Sequence, residues 1–147
     1  APVAEEPQVE IPSNGNGHGE NGKSNAPVWN ALGNVFFKSG AFDEAMLAYK
    51  KALELDAEYG IAVHNLALTL AKMGMYQEAI NLYQKSIELL PSRIEKATSW
   101  NSLGNTYRVL NDYSNAALAY KAADGLDPEN ISVEAWAESG LLNSRRV

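Results

Sequence analysis

The string Gly17-His18-Gly19-Glu20-Asn21-Gly22-Lys23-Ser24 has the spacing G-x-x-x-x-G-K-S/T, in which the backbone amides of a loop converge on phosphate and a lysine neutralises it. Gly17, Gly19 and Gly22 also satisfy G-x-G-x-x-G. Either chemistry needs a buried strand before the loop and a helix opening at the lysine. Upstream lies Pro7-Gln8-Val9-Glu10-Ile11-Pro12, bracketed by prolines, and Pro27 follows four residues after Lys23. No apolar strand ending in Asp follows to hold magnesium. The match is read as a product of Gly/Asn-rich composition, and nucleotide binding stays only as an alternative.

Other reactive groups are sparse. The two histidines are His18 and His64, and there is no cysteine, which excludes a disulfide frame and a thiolate metal site and leaves no two-histidine metal set in the second half of the chain. His64 could act as a base, but no Ser or Asp is placed by spacing to relay a proton to it, so it is read as a groove or surface imidazole. Asn130-Ile131-Ser132 spells a glycosylation acceptor and is read instead as a helix start. No catalytic residue, metal or cofactor is assigned, and an enzyme is not expected.

Whatever these residues do, the remaining chain must position them. Its 147 residues carry a net charge of -6, which argues against binding a phosphate backbone, so no nucleic-acid partner is expected. With 46% apolar residues the chain can bury a core, yet no apolar run approaches the roughly 20 residues of a membrane helix. The sequence opens on Ala1 without a charged and apolar leader. The expectation is a soluble intracellular protein of the cytoplasm, or of an organelle interior if a leader was removed.

Composition changes near Ala26. Residues 1–25 contain Pro2, Pro7, Pro12, Gly15, Gly17, Gly19 and Gly22 and hardly any large apolar side chain. Such a stretch buries too little surface to offset its ordering entropy, and a disordered arm is predicted. Residues 26–147 form the expected folded domain.

That domain repeats itself. Trp29-Asn30-Ala31-Leu32-Gly33-Asn34 aligns with Trp100-Asn101-Ser102-Leu103-Gly104-Asn105, and His64-Asn65-Leu66-Ala67 falls in the same frame. Leu32 and Leu66 are 34 residues apart, Leu66 and Leu103 are 37 apart, so the period is 34 with one insertion of three. In register recur Gly40 and Gly74, then Phe42, Tyr76 and Tyr113, then Ala45, Ala79 and Ala116, then Tyr49, Tyr83 and Tyr120. Within each unit apolar residues recur at three and four, as in Leu32, Val35 and Phe36 and in Ala45, Ala48, Tyr49 and Ala52, which predicts two amphipathic helices per unit. Small residues at Gly33, Ala67 and Gly104 let the two helices approach, and the three tyrosines are expected to fill space against the next helix. Ser92-Arg93-Ile94-Glu95 after Pro91 reads as a capping box, so the inserted residues should start the fifth helix about one turn early and make it protrude. Units of this kind need a cover at the end of the stack. Val133, Trp136, Ala137, Gly140 and Leu141 share one face of a predicted closing helix at 131–144.

The pattern resembles the tetratricopeptide repeat family, whose 34-residue unit carries W-x2-L-G-x2-Y, then A-x3-F/Y, then a terminal Pro. The resemblance covers 26–59, 60–93 and 97–130, with Val63, Ala67, Asn111 and Ala57 as departures. It implies an all-α, right-handed superhelical stack of helix-turn-helix pairs with seven helices. It also implies a concave groove lined by the first helix of each pair. Unit one would contribute Asn30, Asn34, Phe37 and Lys38. Unit two would contribute Ile61, His64, Asn65, Leu68, Ala71 and Lys72, and unit three Thr98, Asn101, Asn105, Arg108 and Val109.

The chaperone-binding branch of the family uses a clamp for two carboxylates. Asn34 and Asn65 match its amides, whereas its cationic positions hold Asn30, Thr98 and Ser102, so an acidic C-terminal tail would lose its charge-assisted hydrogen bonds. The implied function is a non-enzymatic adaptor or assembly factor that takes a peptide segment or helix of another protein into the groove, including one with acidic residues near Arg108. A self-associating structural module, using the open edge near Trp29 and Phe37, is the alternative.

Overall fold

In a computed structural model the structure describes residues 20–128. Those residues form six α-helices: α1 (Glu20–Lys38), α2 (Phe42–Leu55), α3 (Gly60–Lys72), α4 (Tyr76–Leu89), α5 (Arg93–Val109) and α6 (Tyr113–Leu126). Each odd helix packs on the even helix that follows it, and α2 on α3 and α4 on α5 join the pairs into one stack. Among the described residues no helix is long and apolar enough to cross a membrane. The predicted closing helix at 131–144 and most of the arm lie outside the described residues.

Helix α1 begins within the stretch 1–25 that composition alone reads as an arm. It opens at Glu20 and runs through Pro27, so Gly22-Lys23-Ser24 is part of a helix and not a loop. A proline lacks one N–H but its fixed φ is helical, so a single missing hydrogen bond is the local cost. Burial offsets it: Ala26 is fully buried and clusters with Ala52 of α2 and Ala62 of α3.

Each helix pair closes with the same backbone device. Ala41 N–H donates to Phe36 O, Met75 N–H to Leu70 O and Asp112 N–H to Tyr107 O, all at 2.9 Å, which satisfies carbonyls that the helix end would orphan. The chain reaches these bonds through the left-handed region, at φ +81° for Gly40, +80° for Gly74 and +60° for Asn111. Asparagine tolerates that region, which explains how the third unit replaces glycine without losing the turn.

Tyr49, Tyr83 and Tyr120 are the largest fully buried side chains. Besides the expected filling of space against the next helix, Tyr49 and Tyr120 pack against the glycines of their own unit. A Cβ on Gly104 would sit 2.6 Å from Tyr120 Cε1, and one on Gly33 would meet the Tyr49 ring as closely, so neither position accepts a side chain without moving a core ring. Tyr49 also belongs to a cluster with Leu66 and Leu70 of α3, linking one unit to the next.

Helix α5 begins early, as the insertion predicts. Ser92 Oγ accepts from Glu95 N–H at 3.1 Å while Glu95 Oε2 accepts from Ser92 N–H at 3.4 Å, a complete capping box. The added turn is tied to its neighbours: Lys96 Nζ donates to Ile87 O of α4 at 2.6 Å and an Arg93 guanidinium nitrogen to Gly125 O of α6 at 3.2 Å. Both cations therefore sit near helix C-termini, where the macrodipole favours positive charge.

Candidate functional site

Helices α1, α3 and α5 occupy equivalent places in the three units, and their exposed polar residues gather along one surface. At its α1 end is a cluster of amides. Asn65 Nδ2 donates to Asn30 Oδ1 at 3.0 Å and to Asn34 Oδ1 at 3.2 Å, and the Tyr49 hydroxyl donates to the same Asn34 oxygen at 2.6 Å. With its oxygen held by two donors, the Asn34 amide keeps its NH2 for a further acceptor. Asn30 behaves differently from its sequence-based assignment as groove lining. It is 94% buried (6% exposed), because α1 and α3 approach closely enough for Asn65 to enclose it.

The α5 end repeats the motif. Tyr120 donates to Asn105 Oδ1 at 2.6 Å, leaving the NH2 of the exposed Asn105 outermost. The Arg108 guanidinium lies beside that tyrosine hydroxyl, whose pKa burial raises and the arginine partly restrains. Burial likewise pushes the Tyr49 hydroxyl up to about 12, so at neutral pH it is a donor to Asn34.

Unit two breaks the pattern. The position of Asn34 and Asn105 is taken by Leu68, so Tyr83 finds no amide in its own unit, and its hydroxyl is placed against Ser102 and Thr106 of α5. At this break a recess of about 350 Å³ opens between α3 and α5, lined by Leu68, Ala71, Tyr76, Tyr83, Ser102, Thr106 and Val109, with Lys72 and Asn105 at its border. Sequence reasoning placed Leu68 and Lys72 here but treated Tyr83 as packing only and missed Tyr76 and Ser102. The readable signal was the apolar residue standing where two aligned units carry Asn.

His64 is half-buried. Its Nδ1 lies 2.7 Å from Ser99 Oγ, Ser86 Oγ lies 3.0 Å beyond, and the imidazole ring packs 5.6 Å from the Tyr83 ring. Burial lowers its pKa to about 4, so it is neutral at physiological pH. The Ser that spacing could not supply comes from the next unit, 35 residues on. Beside His64, Ile61 and Thr98 border a separate recess of about 180 Å³. Phe37 is half-buried and meets Phe42 edge-on at 5.4 Å, while Lys38 and Lys72 are exposed and Asn101 is half-buried. Among the described residues no cluster of His, Cys, Asp or Glu could hold a metal ion.

Two family models with the descriptions "Tetratricopeptide repeat" and "TPR repeat" match residues 59–123 and 33–74. The chain belongs to the tetratricopeptide repeat family. A relative, the Hsp70-Hsp90 organizing protein of Triticum aestivum, is 31% identical over 117 residues, which is 80% of this chain and 19% of the relative. The chain thus spans about a fifth of that relative's length. Solved tetratricopeptide domains share the fold. The Arabidopsis OM64 TPR domain superposes with a TM-score of 0.72 at 20% identity, covering 84% of this chain and 98% of that one. The first TPR of Spaghetti (RPAP3), solved with the HSP90 peptide SRMEEVD, gives 0.72 at 23% identity over 83% and 93%. The N-terminal domain of stress-induced protein-1 from C. elegans gives 0.72 at 21% over 85% and 99%.

Proposed function

We propose that the surface formed by α1, α3 and α5 is a groove that captures a peptide segment of a partner protein, and that the chain is a non-enzymatic adaptor. The observation that carries this reading is the alternation along the groove: an amide NH2 at Asn34, an apolar recess at Leu68, and a second amide NH2 at Asn105. An extended peptide offers carbonyl acceptors and side chains in that order. Helix axes pack ~8–10 Å apart, so α1 and α5 stand roughly 16–20 Å apart, the reach of about five or six extended residues. The preferred ligand therefore carries one apolar side chain between two acceptor groups.

Lys38, Lys72 and Arg108 add positive charge on the same side, which favours acidic residues flanking the apolar one. The clamp positions occupied here by Asn30, Thr98 and Ser102 remain neutral, and this separates the reading from capture of a chaperone's paired carboxylates, whatever the wheat relative's name implies for that protein. The test is capture of partners from lysate by the full chain and by an Asn34→Ala, Leu68→Glu double variant. Loss of capture at unchanged helicity and melting supports the groove. Equal capture by both proteins would remove the concave surface as the site.

A further inference from the structure

The three units expose their equivalent faces to very different degrees. On α3, the residues Ala62, Leu66 and Thr69 are 0, 5 and 0% exposed, because α2 covers them. Thirty-four residues earlier, on α1, the same positions hold Val28, Leu32 and Val35. Val28 is 48% and Val35 64% exposed, and Leu32 is half-buried. The face continues onto α2, where Leu47 is 63% exposed. Between the helices lies a recess of about 330 Å³ floored by Trp29, Leu32, Phe36 and Ala48 and flanked by Glu44 and Lys51. Among the described residues the architecture thus covers this type of surface with an amphipathic helix twice and leaves it uncovered at the first unit.

Its charges indicate which helix fits. Glu44 and Lys51 are seven residues apart, two turns or about 10 Å along one face of α2, and their midpoint falls between Leu47 and Ala48. A second α2 laid antiparallel about a twofold axis through that midpoint sets Glu44 against the partner's Lys51 and Lys51 against the partner's Glu44. The same operation brings each Leu47 over the other copy's recess, next to the small Ala48. A surface self-complementary in charge and in shape is what an isologous contact requires. Lys51 now pairs with Glu54 at 3.2 Å, with the two side chains 46% and 68% exposed. Exposed pairs of this kind hold weakly, so Lys51 can turn to a partner. We infer that the α1–α2 edge is a docking surface for a second copy of this chain, with α2 antiparallel to α2 and Glu44 paired with the partner's Lys51.

Sedimentation of the full chain from micromolar to millimolar concentration tests this. The expected result is a monomer–dimer equilibrium that Leu47→Glu abolishes, while Leu118→Glu, at the same repeat position of α6 and 65% exposed, leaves it intact. Glu44→Lys alone and Lys51→Glu alone should each weaken the dimer about tenfold, as like charges across an interface do. Mixing those two single variants should give a heterodimer tighter than either homodimer, and the double variant should recover the original affinity. A chain that stays monomeric, a dimer indifferent to Leu47→Glu, or single variants that do not recover on mixing would each overturn the inference. A monomer would assign the edge to residues preceding 20 or to a different protein. Circular dichroism of each variant verifies that the helices are retained.

Discussion

The Tyr49 hydroxyl donates to Asn34 Oδ1 across 2.6 Å, so a core side chain helps decide which end of that amide faces outward in the proposed groove. Tyr120 does the same for Asn105. Tyr49→Phe removes the pin but keeps the ring on Gly33. Stability should fall by about 1 kcal/mol, the usual net worth of one hydrogen bond. Partner affinity, followed by calorimetric titration, should fall as well, because the Asn34 amide is then oriented by the longer Asn65 bond alone.

Recognition and packing should separate at neighbouring residues. Tyr83→Ala opens a cavity in the core cluster that runs from α2 to α6 and should cost ~3 kcal/mol or more, with any loss of binding accompanied by that loss of stability since the ring also lines the recess. Leu68→Glu changes a half-buried side chain at the recess and should cost about 1 kcal/mol while removing binding. Urea denaturation beside a binding isotherm distinguishes the two. Equal destabilisation by both substitutions would mean that Leu68 is core.

Acid should act through His64. Its pKa is about 4 in the folded chain against 6.5 for an unperturbed imidazole, so between these values the unfolded chain binds a proton that the native one refuses. The stabilisation is complete above the unfolded value and is lost as pH falls through the window, to a total of about 3 kcal/mol. Comparing the stability of the parent with His64→Gln across this range isolates the imidazole from the carboxylates. A difference between them that stays constant with pH would contradict the burial described for His64.

Acidic C-terminal tails should bind weakly. The peptide SRMEEVD is bound to the RPAP3 domain; on this chain the proposed groove would offer it Asn34 and Asn65 but neutral residues at 30, 98 and 102. Introducing Thr98→Lys with Ser102→Arg should raise its affinity at least about tenfold and make it salt-dependent, since charge-assisted hydrogen bonds are roughly twice as strong as neutral ones. Fluorescence anisotropy at two ionic strengths reads both effects.

Spacing alone made the helix pairs legible, because small residues, tyrosines and turn glycines recur at one period and each has a single structural use. Even the early start of α5 followed from Ser92 and Glu95. Side-chain direction was harder to read. Asn30 and Asn34 look alike in the sequence, yet the approach of Asn65 buries the first, and Asn65 together with Tyr49 orients the second. The contact of His64 with Ser99 was hidden for a similar reason, since the two belong to successive units and share no local spacing. The start of α1 was missed because Pro27 and the glycines before it carry poor local helix propensity, which the packing of Ala26 against Ala52 and Ala62 overrides.

The Lys96 and Arg93 contacts bear on how the stack opens. They fasten α4, α5 and α6 to one another through polar staples, whereas α3 begins at Gly60 without an added turn and offers no such reach back to α2. Cooperative opening in a linear array follows the strength of each junction. The first helix pair should therefore exchange its amide hydrogens fastest, and the last two pairs should hold as a single block. Asn34 rides on that pair, joined to α3 by the Asn65 amide, so a ligand spanning α1 and α5 would add a second clasp, slowing exchange in α1 and α2 more than anywhere else.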